Sequence, residues 1–181
     1  ARAVLPPHDA NAFCHRIVLH GRDTCTARRA FCDKCNLNEI CKKKGVIMPE
    51  KKYKIGYTTG VFDMFHIGHL NILKRAKEQC DYLIVGVTTD ELCYSRKQKY
   101  PIICEQDRME IVASIRYVDK VIPQINMNKI EPVKEFGVKV VFVGSDWKGT
   151  PAWNQYENEF AKVGCSVVYL DHTDGISTSI L

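Results

Sequence analysis

Two histidines three residues apart, His66 and His69, have the types and spacing to do chemistry. They stand in an H-x-G-H segment, with Gly68 between them. A β-branched and aromatic run at 53–59 precedes this segment, and helical periodicity begins at its end, over 69–79. A helix that begins here presents unpaired backbone N–H groups and the positive end of its dipole. Two imidazole donors beside that helix end predict a site for an anion.

Polar clusters also follow three of the other predicted strands. Three cations that we expect to be mobile follow the strand predicted at 82–88: Arg96, Lys97 and Lys99. The segment 144–149 supplies a carboxylate and an aromatic plane, and 173–179 supplies hydroxyls at another predicted helix start. Each cluster alone is also typical of a solvated surface or a helix cap. Because the carboxyl ends of parallel strands meet at one edge, we expect all four clusters on one rim, which favours a function.

The elements that must position these residues alternate along the chain. The sequence predicts five strands, at 53–59, 82–88, 117–122, 138–143 and 166–170. Amphipathic stretches predict helices at 69–79, 105–115, 128–136 and 152–163. Nearly continuous apolar strands separated by helices indicate a parallel sheet that is covered on both faces. We therefore predict an α/β fold: a Rossmann-like, doubly wound, five-stranded parallel sheet with a small N-terminal four-cysteine appendage.

Several segments of residues 54–181 together resemble one family. The H-x-G-H and G-I-S-T-S segments are similar to those of the cytidylyltransferase branch of the nucleotidylyltransferase superfamily, above all to the bacterial glycerol-3-phosphate cytidylyltransferases. The shared stretches are 60–69, Thr89-Asp90-Glu91, Arg116-Tyr117-Val118-Asp119, 144–149 and 175–178. H-x-G-H alone would also fit adenylyltransferases, whereas the R-Y-V-D, G-x-D-W and G-I-S-T segments favour cytidylyl transfer.

The resemblance implies transfer of CMP from CTP, with Mg²⁺ on the triphosphate, to a small alcohol phosphate such as glycerol 3-phosphate. It implies three catalytic residues: His66, His69 and Lys97. Lys99 is the next candidate because the loop is one residue longer here. The residues implied in nucleotide binding are Gly60, Val61, Phe62, Asp63, Gly68, Lys99, Asp146, Trp147, Thr173, Ile176, Ser177 and Thr178. Relatives are commonly dimers, so we expect a homodimer with its interface near 116–119.

Two positions depart from the family. His172 stands where the most similar relatives have an arginine, so a permanent cation becomes one that titrates near neutral pH. We therefore expect the affinity for the triphosphate to depend on pH. The sequence stops at Leu181, where the family continues in a helix, so we expect the phosphate-binding hydroxyls to be poorly anchored.

Length and charge divide the chain into two parts. The 181 residues suit one domain with a small appendage. No run approaches the roughly 18 apolar residues that a membrane span needs, and no signal-peptide pattern is visible, so we expect a cytoplasmic protein. The net charge of +5 lies entirely in residues 1–49, which hold nine Lys and Arg against four Asp and Glu. The rest of the chain balances at 17 against 17, which indicates different partners for the two parts.

Four cysteines within 17 residues form a second candidate site, with the spacing C-x6-C-x2-C-x5-C: Cys25, Cys32, Cys35 and Cys41. Four thiolates select zinc or iron–sulfur and leave no open position, so a structural centre is predicted. Together with the segment 13–25, these cysteines resemble the iron–sulfur loop that closes the endonuclease III family of DNA glycosylases. The resemblance implies a [4Fe–4S] cluster with Cys14 outside the ligand set, and Zn²⁺ is the alternative. Because that family's catalytic residues would lie upstream of the loop, no glycosylase activity is predicted.

We predict a four-cysteine module at 1–46, a linker at 47–53 and a nucleotide-binding domain at 54–181. The charge of the module also suits a nucleic-acid-binding protein, in which the nucleotide domain is non-catalytic or transfers adenylyl groups. Few aromatic residues accompany the basic ones, which disfavours single-strand binding. The module could also be a fusion without a role. The acceptor is open among glycerol phosphate, other polyol phosphates, and the phosphates of choline and ethanolamine.

Overall fold

The computed structural model of the chain describes residues 6–26, 30–43, 50–171 and 173. The chain divides into two compact units, Ala1–Glu50 and Lys51–Leu181. In the smaller unit, helix α1 spans Pro7–Asp23 and begins with a proline, whose missing N–H has no partner in a first turn anyway. Cys25 then pairs with Ala30 in an antiparallel bridge, and a short 3-10 helix spans Cys32–Lys34.

The larger unit is built on five parallel strands in the order β3-β2-β1-β4-β5. The strands are β1 (Tyr53–Gly60), β2 (Cys80–Thr88), β3 (Lys120–Gln124), β4 (Val140–Gly144) and β5 (Ser166–Leu170). In the centre, Tyr57 of β1 lies opposite Ile84 of β2 and Val141 of β4. The strand order reverses between β1 and β4, which is where open α/β sheets bind their ligands. The predicted α/β class and five-stranded parallel sheet are confirmed.

Helices cover both faces of this sheet. They are α2 (Ile67–Gln79), α3 (Asp90–Lys97), α4 (Glu105–Ala113), α5 (Ile130–Glu135) and α6 (Pro151–Lys162). Neighbouring residues of β4 belong to opposite cores: Phe142 packs with Leu73 of α2, and Val141 packs with Val133 of α5 and Phe160 of α6. Among the described residues, no helix is long and apolar enough to cross a membrane.

The sequence predicts mobile cations after β2, and the structure shows that two of them belong to helix α3 instead. Thr89 caps this helix, and its side chain accepts a hydrogen bond from the N–H of Leu92 at 3.3 Å. Arg96 and Lys97 therefore lie in its last turn, and Gln98 ends it in a left-handed conformation with φ of 53°. Eight mostly polar residues are too few to show helical periodicity, which is why the helix is not visible in the sequence.

Candidate active site

A cavity of about 210 Å³ opens at the carboxyl ends of β1 and β4. It brings together eight of the residues that the sequence predicts for catalysis or nucleotide binding: Gly60, Phe62, His66, Gly68, His69, Asp146, Trp147 and Thr173. These residues come from three of the four polar clusters, those after β1, β4 and β5. We call this space the histidine cavity.

The two histidines are held by the first turn of α2. The backbone N–H of Gly68 donates to His66 Nδ1 at 3.1 Å, and the N–H of His66 donates to His69 Nδ1 at 3.4 Å. This is the arrangement of a capping box, with imidazoles in place of the usual hydroxyl and carboxylate, and it explains the spacing of three. Because each Nδ1 accepts a hydrogen bond, each neutral ring carries its proton on Nε2. The backbone thus fixes two imidazole donors at the helix end.

The surroundings of His69 keep its ring neutral. Its centroid lies 3.9 Å from that of His66, 5.3 Å from Phe62 and 5.5 Å from Phe65. Burial, and to a smaller extent His66, lower the pKa of His69 to about 4, although Asp63 acts in the opposite direction. At neutral pH, His69 is therefore a hydrogen-bond donor without a full positive charge.

The turn between β1 and α2 contains two non-glycine residues in the left-handed region. Phe62 has φ of 55° and Met64 has φ of 44°. Each such residue costs on the order of 1–3 kcal/mol and persists only where the surroundings hold it. Here the buried ring of Phe62 packs against Phe65 and His69, which offsets the strain directly beside the histidine pair.

Asp63 is predicted to bind the nucleotide, but its carboxylate contacts backbone N–H groups of the protein. Its carboxylate accepts hydrogen bonds from the backbone N–H groups of Met64, Ile102 and Ile103, at 2.9–3.0 Å. Burial by itself would raise the pKa of Asp63, but these hydrogen bonds and the nearby charge of Arg108 lower it overall. Asp63 therefore anchors the loop between α3 and α4, and its role in nucleotide binding stays a prediction.

Asp146 and Trp147 lie on a short 3-10 helix, Ser145–Trp147, directly after β4. A Cβ atom on Gly144 would collide with the Asp146 carboxylate, so glycine at this position lets the carboxylate fold back over the strand end. Trp147 is 46% exposed and lines two neighbouring cavities. A carboxylate beside an exposed aromatic plane suits the recognition of a nucleoside.

The cluster after β5 is described only in part. Thr173 lines the histidine cavity, and its Oγ1 accepts a hydrogen bond from Asn71 Nδ2 at 3.1 Å. The other predicted residues of this cluster lie outside the described residues: His172, Ile176, Ser177 and Thr178. Their assignment stays a prediction.

A second cavity, of about 380 Å³, adjoins the first. The wall that the two cavities share consists of Thr59, Gly60, Val143 and Trp147. Three cations line the second cavity: Arg96, Lys97 and Lys129. No Asp or Glu is among the described residues of its lining, which also includes Trp153 and Tyr156. We call this space the cationic cavity, and its chemistry suits an anion with an apolar or hydroxylated body.

The two candidate lysines, Lys97 and Lys99, lie in different places relative to the cavities. Lys97 lines the cationic cavity, whereas the exposed Lys99 lies outside the linings of both cavities. Val61 lines the cationic cavity, and Gly60 lines both. Of the two lysines, only Lys97 lines a cavity that adjoins the histidine cavity, and the catalytic role of Lys97 stays a prediction.

The larger part of the sequence matches a known family. Residues 57–181, more than half of the chain, match the family described as Cytidylyltransferase-like. The chain belongs to the cytidylyltransferase-like family. This match begins at residue 57, so the resemblance of residues 13–41 to the endonuclease III loop stays a prediction.

Individual proteins are also similar to the chain. The glycerol-3-phosphate cytidylyltransferase of Staphylococcus aureus (strain NCTC 8325 / PS 47) is 42% identical over 123 residues, covering 67% of this chain and 87% of the relative. That of Bacillus subtilis (strain 168) is 41% identical over 123 residues, covering 67% and 89%. The structure of the lipopolysaccharide core biosynthesis protein from Thermoplasma volcanium GSS1 matches with a TM-score of 0.57 and 27% identity, covering 67% of this chain and 97% of that one. The expected enzyme class, a cytidylyltransferase, is confirmed by the two sequence relatives.

Arg108 supports the cytidylyltransferase-like site from inside the fold. It is fully buried and donates to the backbone oxygens of Val61, Thr88 (2.9 Å) and Ile103 (2.8 Å), and to Asp90 Oδ1 at 2.6 Å. One guanidinium therefore ties the chain after β1 to the end of β2, the start of α3 and the loop before α4. The sequence shows this arginine only as one charge in an amphipathic stretch, so its burial could not be predicted.

Lys129 is the second site residue that is missing from the predictions. It lies directly before α5, is only 6% exposed, and donates from Nζ to Thr59 Oγ1 at 2.8 Å. Burial, and to a smaller extent the charge of Arg96, lower its pKa to about 8. Nothing in the sequence near 129 indicates burial, because a lysine at the start of a helix normally extends into solvent.

The smaller unit places its four predicted ligands around one small space. A cavity of about 50 Å³ is lined by His20 and by all four cysteines: Cys25, Cys32, Cys35 and Cys41. The backbone N–H groups of Leu37 and Lys43 donate to the sulfurs of Cys35 and Cys41, each at 3.3 Å. Hydrogen bonds of this kind are found at the sulfurs of iron–sulfur clusters. Over 6–26, 30–43, 50–171 and 173, no group of three or more His, Cys, Asp or Glu stands close enough to hold a metal ion, so the predicted centre is not confirmed.

Proposed function

We propose that this cytidylyltransferase transfers CMP from CTP to a small alcohol phosphate, glycerol 3-phosphate or a similar polyol phosphate. The observation that carries this proposal is the pair of adjoining cavities, one lined by the histidine donors and the other by three cations. A nucleoside triphosphate in the first and a phosphate monoester in the second would meet at the shared wall. The two bacterial relatives are glycerol-3-phosphate cytidylyltransferases, which supports the same nucleotide and acceptor.

In this proposal the histidine cavity binds CTP. The Nε2–H groups of His66 and His69 donate to the oxygens around the α-phosphorus, where negative charge develops during transfer. Asp146 and Trp147 contact the nucleoside, next to the backbone of Gly60. The β5 cluster binds the ribose or the triphosphate through Thr173, Ile176, Ser177 and Thr178.

The reaction itself needs positioning more than acid–base chemistry. A phosphate oxygen of the acceptor attacks the α-phosphorus in line and forms the new O–P bond. The bond from the α-phosphorus to the bridging oxygen breaks, and pyrophosphate leaves with its electron pair. Because the second pKa of a phosphate monoester is near 6, no proton has to be removed from the nucleophile at neutral pH. Lys97 holds the two anionic groups together, which lowers the barrier by proximity and by charge stabilisation.

Mg²⁺ fits the residues of the histidine cavity. This ion binds substrate phosphates and water, together with one or two carboxylates. Asp146 is the carboxylate in the described lining of that cavity, so it would hold the ion beside the triphosphate. When bound, Mg²⁺ neutralises part of the triphosphate charge. The Asp63 carboxylate already accepts three backbone hydrogen bonds, so Asp146 is the better candidate.

The cationic cavity favours an uncharged acceptor body. Phosphocholine and phosphoethanolamine carry an ammonium group, which would lie beside Arg96, Lys97 and Lys129 without a carboxylate partner in the described lining. Like charges repel, above all beside the buried Lys129, so an ammonium group would weaken binding there. The hydroxyl groups of a polyol phosphate meet no such repulsion, so we expect them to be preferred.

The test is pyrophosphate release by the full chain with Mg²⁺, a nucleotide and one acceptor at a time. The acceptors are glycerol 3-phosphate, ribitol 5-phosphate, phosphocholine and phosphoethanolamine. We expect release with CTP and a polyol phosphate, and little or none with ATP. Release with ATP but not CTP, or with none of the acceptors, would contradict the proposed function.

We also propose that the four cysteines of the small cavity hold one structural centre, either [4Fe–4S] or Zn²⁺. Their shared cavity and the N–H···S hydrogen bonds at Cys35 and Cys41 support this proposal. The iron and zinc content of anaerobically purified protein tests it. Cys35→Ser should lose the metal, whereas Cys14→Ser, which changes an exposed cysteine outside the set, should keep it. Metal-free wild-type protein would reject the centre.

We also propose that the chain forms a homodimer with its interface near residues 116–119. Arg116 and Tyr117 are held together there, since Arg116 Nη2 donates to Tyr117 Oη at 2.9 Å. Light scattering during gel filtration should give twice the chain mass, and Tyr117→Glu should give the monomer. A monomeric wild type would remove this part of the proposal without affecting the transfer reaction.

The nucleic-acid-binding alternative rests on the charge of residues 1–49 alone. It requires that the full chain bind duplex DNA with an affinity that falls steeply with salt. We expect the wild-type chain not to bind duplex DNA in this way. If it does bind, and if changing Lys34, Lys42 and Lys43 to Gln abolishes the binding, the nucleic-acid-binding alternative is supported.

A further inference from the structure

Trp153 is a buried hydrogen-bond donor to which the transfer reaction described above assigns no role. The residue is only 7% exposed, and it lines the cationic cavity but not the histidine cavity. Over the described part of the chain, no atom accepts a hydrogen bond from its indole N–H. A buried tryptophan usually has a hydrogen-bond partner for this group. The donor is therefore available to a ligand in the cationic cavity.

Three other neutral polar side chains of the cationic cavity are already bonded within the protein. Thr88 Oγ1 donates to Gln124 Oε1 at 3.0 Å. Tyr156 Oη donates to the backbone oxygen of Met127 at 2.8 Å. Trp153 differs from these three residues, because its polar group has no acceptor among the described residues.

Two contacts at Met127 place Trp153 close to the cations of the cavity. Arg96 Nη1 contacts Met127 Sδ at 3.1 Å, and the backbone oxygen of the same methionine accepts the hydrogen bond from Tyr156. The ring centroid of Tyr156 lies 5.5 Å from that of Trp153, which stands one turn earlier on α6. A phosphate held by Arg96 and Lys97 would therefore have its alcohol body beside Trp153.

Packing alone does not account for a tryptophan at this position. Its ring lies against Tyr156 and edge-on to Tyr169, in the same core as Phe160. These contacts hold the ring in one orientation, and an apolar aromatic ring could make them equally well. The indole N–H adds a donor that is costly to bury without an acceptor. The donor is thus fixed in place and unpaired, which is the condition of a preorganised binding group.

The chemistry of this donor indicates what it binds. An indole N–H can only donate, so its partner must offer a lone pair, as a hydroxyl oxygen does. The ammonium groups of phosphoethanolamine and phosphocholine have no lone pair to offer. Leu92, Cys93 and Ala152 complete this part of the lining and suit the carbon chain of an alcohol. The donor therefore favours a hydroxylated body for a reason that is independent of charge.

We propose that Trp153 is a specificity-determining residue whose indole N–H donates to a hydroxyl oxygen of the acceptor body. This inference rests on the proposed transfer reaction and deepens it, because it names the part of the acceptor that the cavity recognises. The cations hold the phosphate, and Trp153 selects phosphate monoesters whose alcohol carries further hydroxyl groups. The substrate class is therefore a polyol phosphate rather than a simple alkyl phosphate.

The test combines Trp153→Phe with acceptors that lack the hydroxyl groups. Each polyol phosphate is compared with the alkyl phosphate of the same chain length: glycerol 3-phosphate with propyl phosphate, and ribitol 5-phosphate with pentyl phosphate. With CTP and Mg²⁺, we expect the wild type to show a kcat/KM for the polyol phosphate about tenfold or more above that for the alkyl phosphate. Trp153→Phe should lose most of this preference, while its kcat/KM for the alkyl phosphate changes less than about twofold.

Tyr169→Phe is the matched control. It removes a hydroxyl that is bonded to Glu157 from a ring that touches Trp153, but Tyr169 lies outside the described lining of the cavity. This variant should keep the preference of the wild type. Calorimetric titration of both acceptors into the full chain, with α,β-methylene-CTP and Mg²⁺ present, gives the same comparison without turnover.

The outcomes separate this inference from the proposed function. A loss by the same factor for both acceptors in Trp153→Phe would mean that the ring only packs or contacts the phosphate, and it would overturn the inference. A wild type that turns over both acceptors equally well would also overturn it. Both results would leave the transfer reaction in place. A wild type that turns over neither acceptor would overturn the inference together with the proposed function.

Discussion

The histidine cavity and the cationic cavity offer an anion two different kinds of partner. In the first, the donors are imidazole N–H groups whose rings are fixed by hydrogen bonds to the first turn of α2. In the second, three cations from two different helix ends face one space without a described carboxylate in its lining. Oriented neutral dipoles cost little when a site is empty, whereas a buried cation such as Lys129 is unstable until an anion arrives; Arg96 and Lys97 are exposed.

This difference suits the two substrates. In the proposed reaction the α-phosphoryl group is already anionic and gains further negative charge in the transition state, and fixed dipoles can stabilise this added charge without reorganising. The acceptor phosphate carries its charge from the beginning, so cations can capture it from solution. Substitutions in one cavity should therefore affect one substrate more than the other. A substitution in the structure that supports both cavities should affect both.

Arg108→Met should have the largest effect, because Arg108 ties the ends of β1 and β2 behind both cavities. The substitution leaves the Asp90 carboxylate and the backbone oxygens of Val61 and Thr88 without their buried partner. Breaking a buried ion pair from one side costs about 3–5 kcal/mol. Urea unfolding of the full chain should show this loss. Lys74→Met, which removes an exposed cation of α2, should stay within about 0.5 kcal/mol of the wild type. A small loss for Arg108→Met would mean that the two cavities do not depend on this arginine.

His66→Ala and His66→Asn should separate the two roles of the histidine pair. Both substitutions remove the imidazole Nε2–H, so both should lower kcat by about 100-fold or more. Asparagine can still cap α2, whereas alanine cannot, so His66→Ala should also lose about 1 kcal/mol of stability. The measurements are pyrophosphate release and thermal unfolding, with His15→Ala as a control at an exposed histidine of the smaller unit. Equal stability of the two variants would show that the cap does not position the histidines.

The two cavities also differ in how far the sequence could reveal them. The two histidines lie within four consecutive residues, at the N-cap and N3 positions of one helix. Because this local spacing determines where the two rings lie, the histidine pair could be predicted from the sequence. The cationic cavity joins Thr59, Lys97 and Lys129, which are far apart in sequence and meet only through the strand order. The parallel strands could be predicted from their apolar runs. Helix α3 and the burial of Arg108 could not, because short polar segments give the same pattern whether they are exposed or packed.

Lys129→Met should raise stability while it lowers acceptor affinity. Burial and Arg96 lower the pKa of Lys129 to about 8, so between about pH 8 and 10.5 the unfolded chain binds more protons than the folded one. The wild type should therefore become more stable as the pH rises through this range, by up to ~3 kcal/mol. Lys129→Met should lose this slope and should be more stable than the wild type at neutral pH, because an apolar side chain has no charge to desolvate.

Urea unfolding at several pH values measures this effect, and Lys134→Met, which changes an exposed lysine of α5, should keep the slope of the wild type. A less stable Lys129→Met at neutral pH would indicate that the ammonium group is structural. A gain in stability together with a loss of acceptor binding would show that the cationic cavity trades stability for function, unlike the histidine cavity.

Asp63→Asn should have the smallest effect and should act on the cationic cavity through its supporting loop. The Asp63 carboxylate accepts three backbone N–H groups, two of them from Ile102 and Ile103 in the loop that follows Lys97. Replacing it by a neutral amide should cost about 1 kcal/mol of stability and raise the acceptor KM modestly, with little change in the KM for CTP.

The same substitution should change how stability depends on pH. Since the pKa of Asp63 is lowered in the folded chain, its contribution to stability is present above the usual pKa of 3.8 and is lost as the pH falls through the folded value. Asp63→Asn should therefore lose part of the acid sensitivity of the wild type, whereas Asp81→Asn, at an exposed carboxylate, should keep it. A larger change in the KM for CTP than for the acceptor would instead assign Asp63 to the nucleotide, as the family resemblance implies.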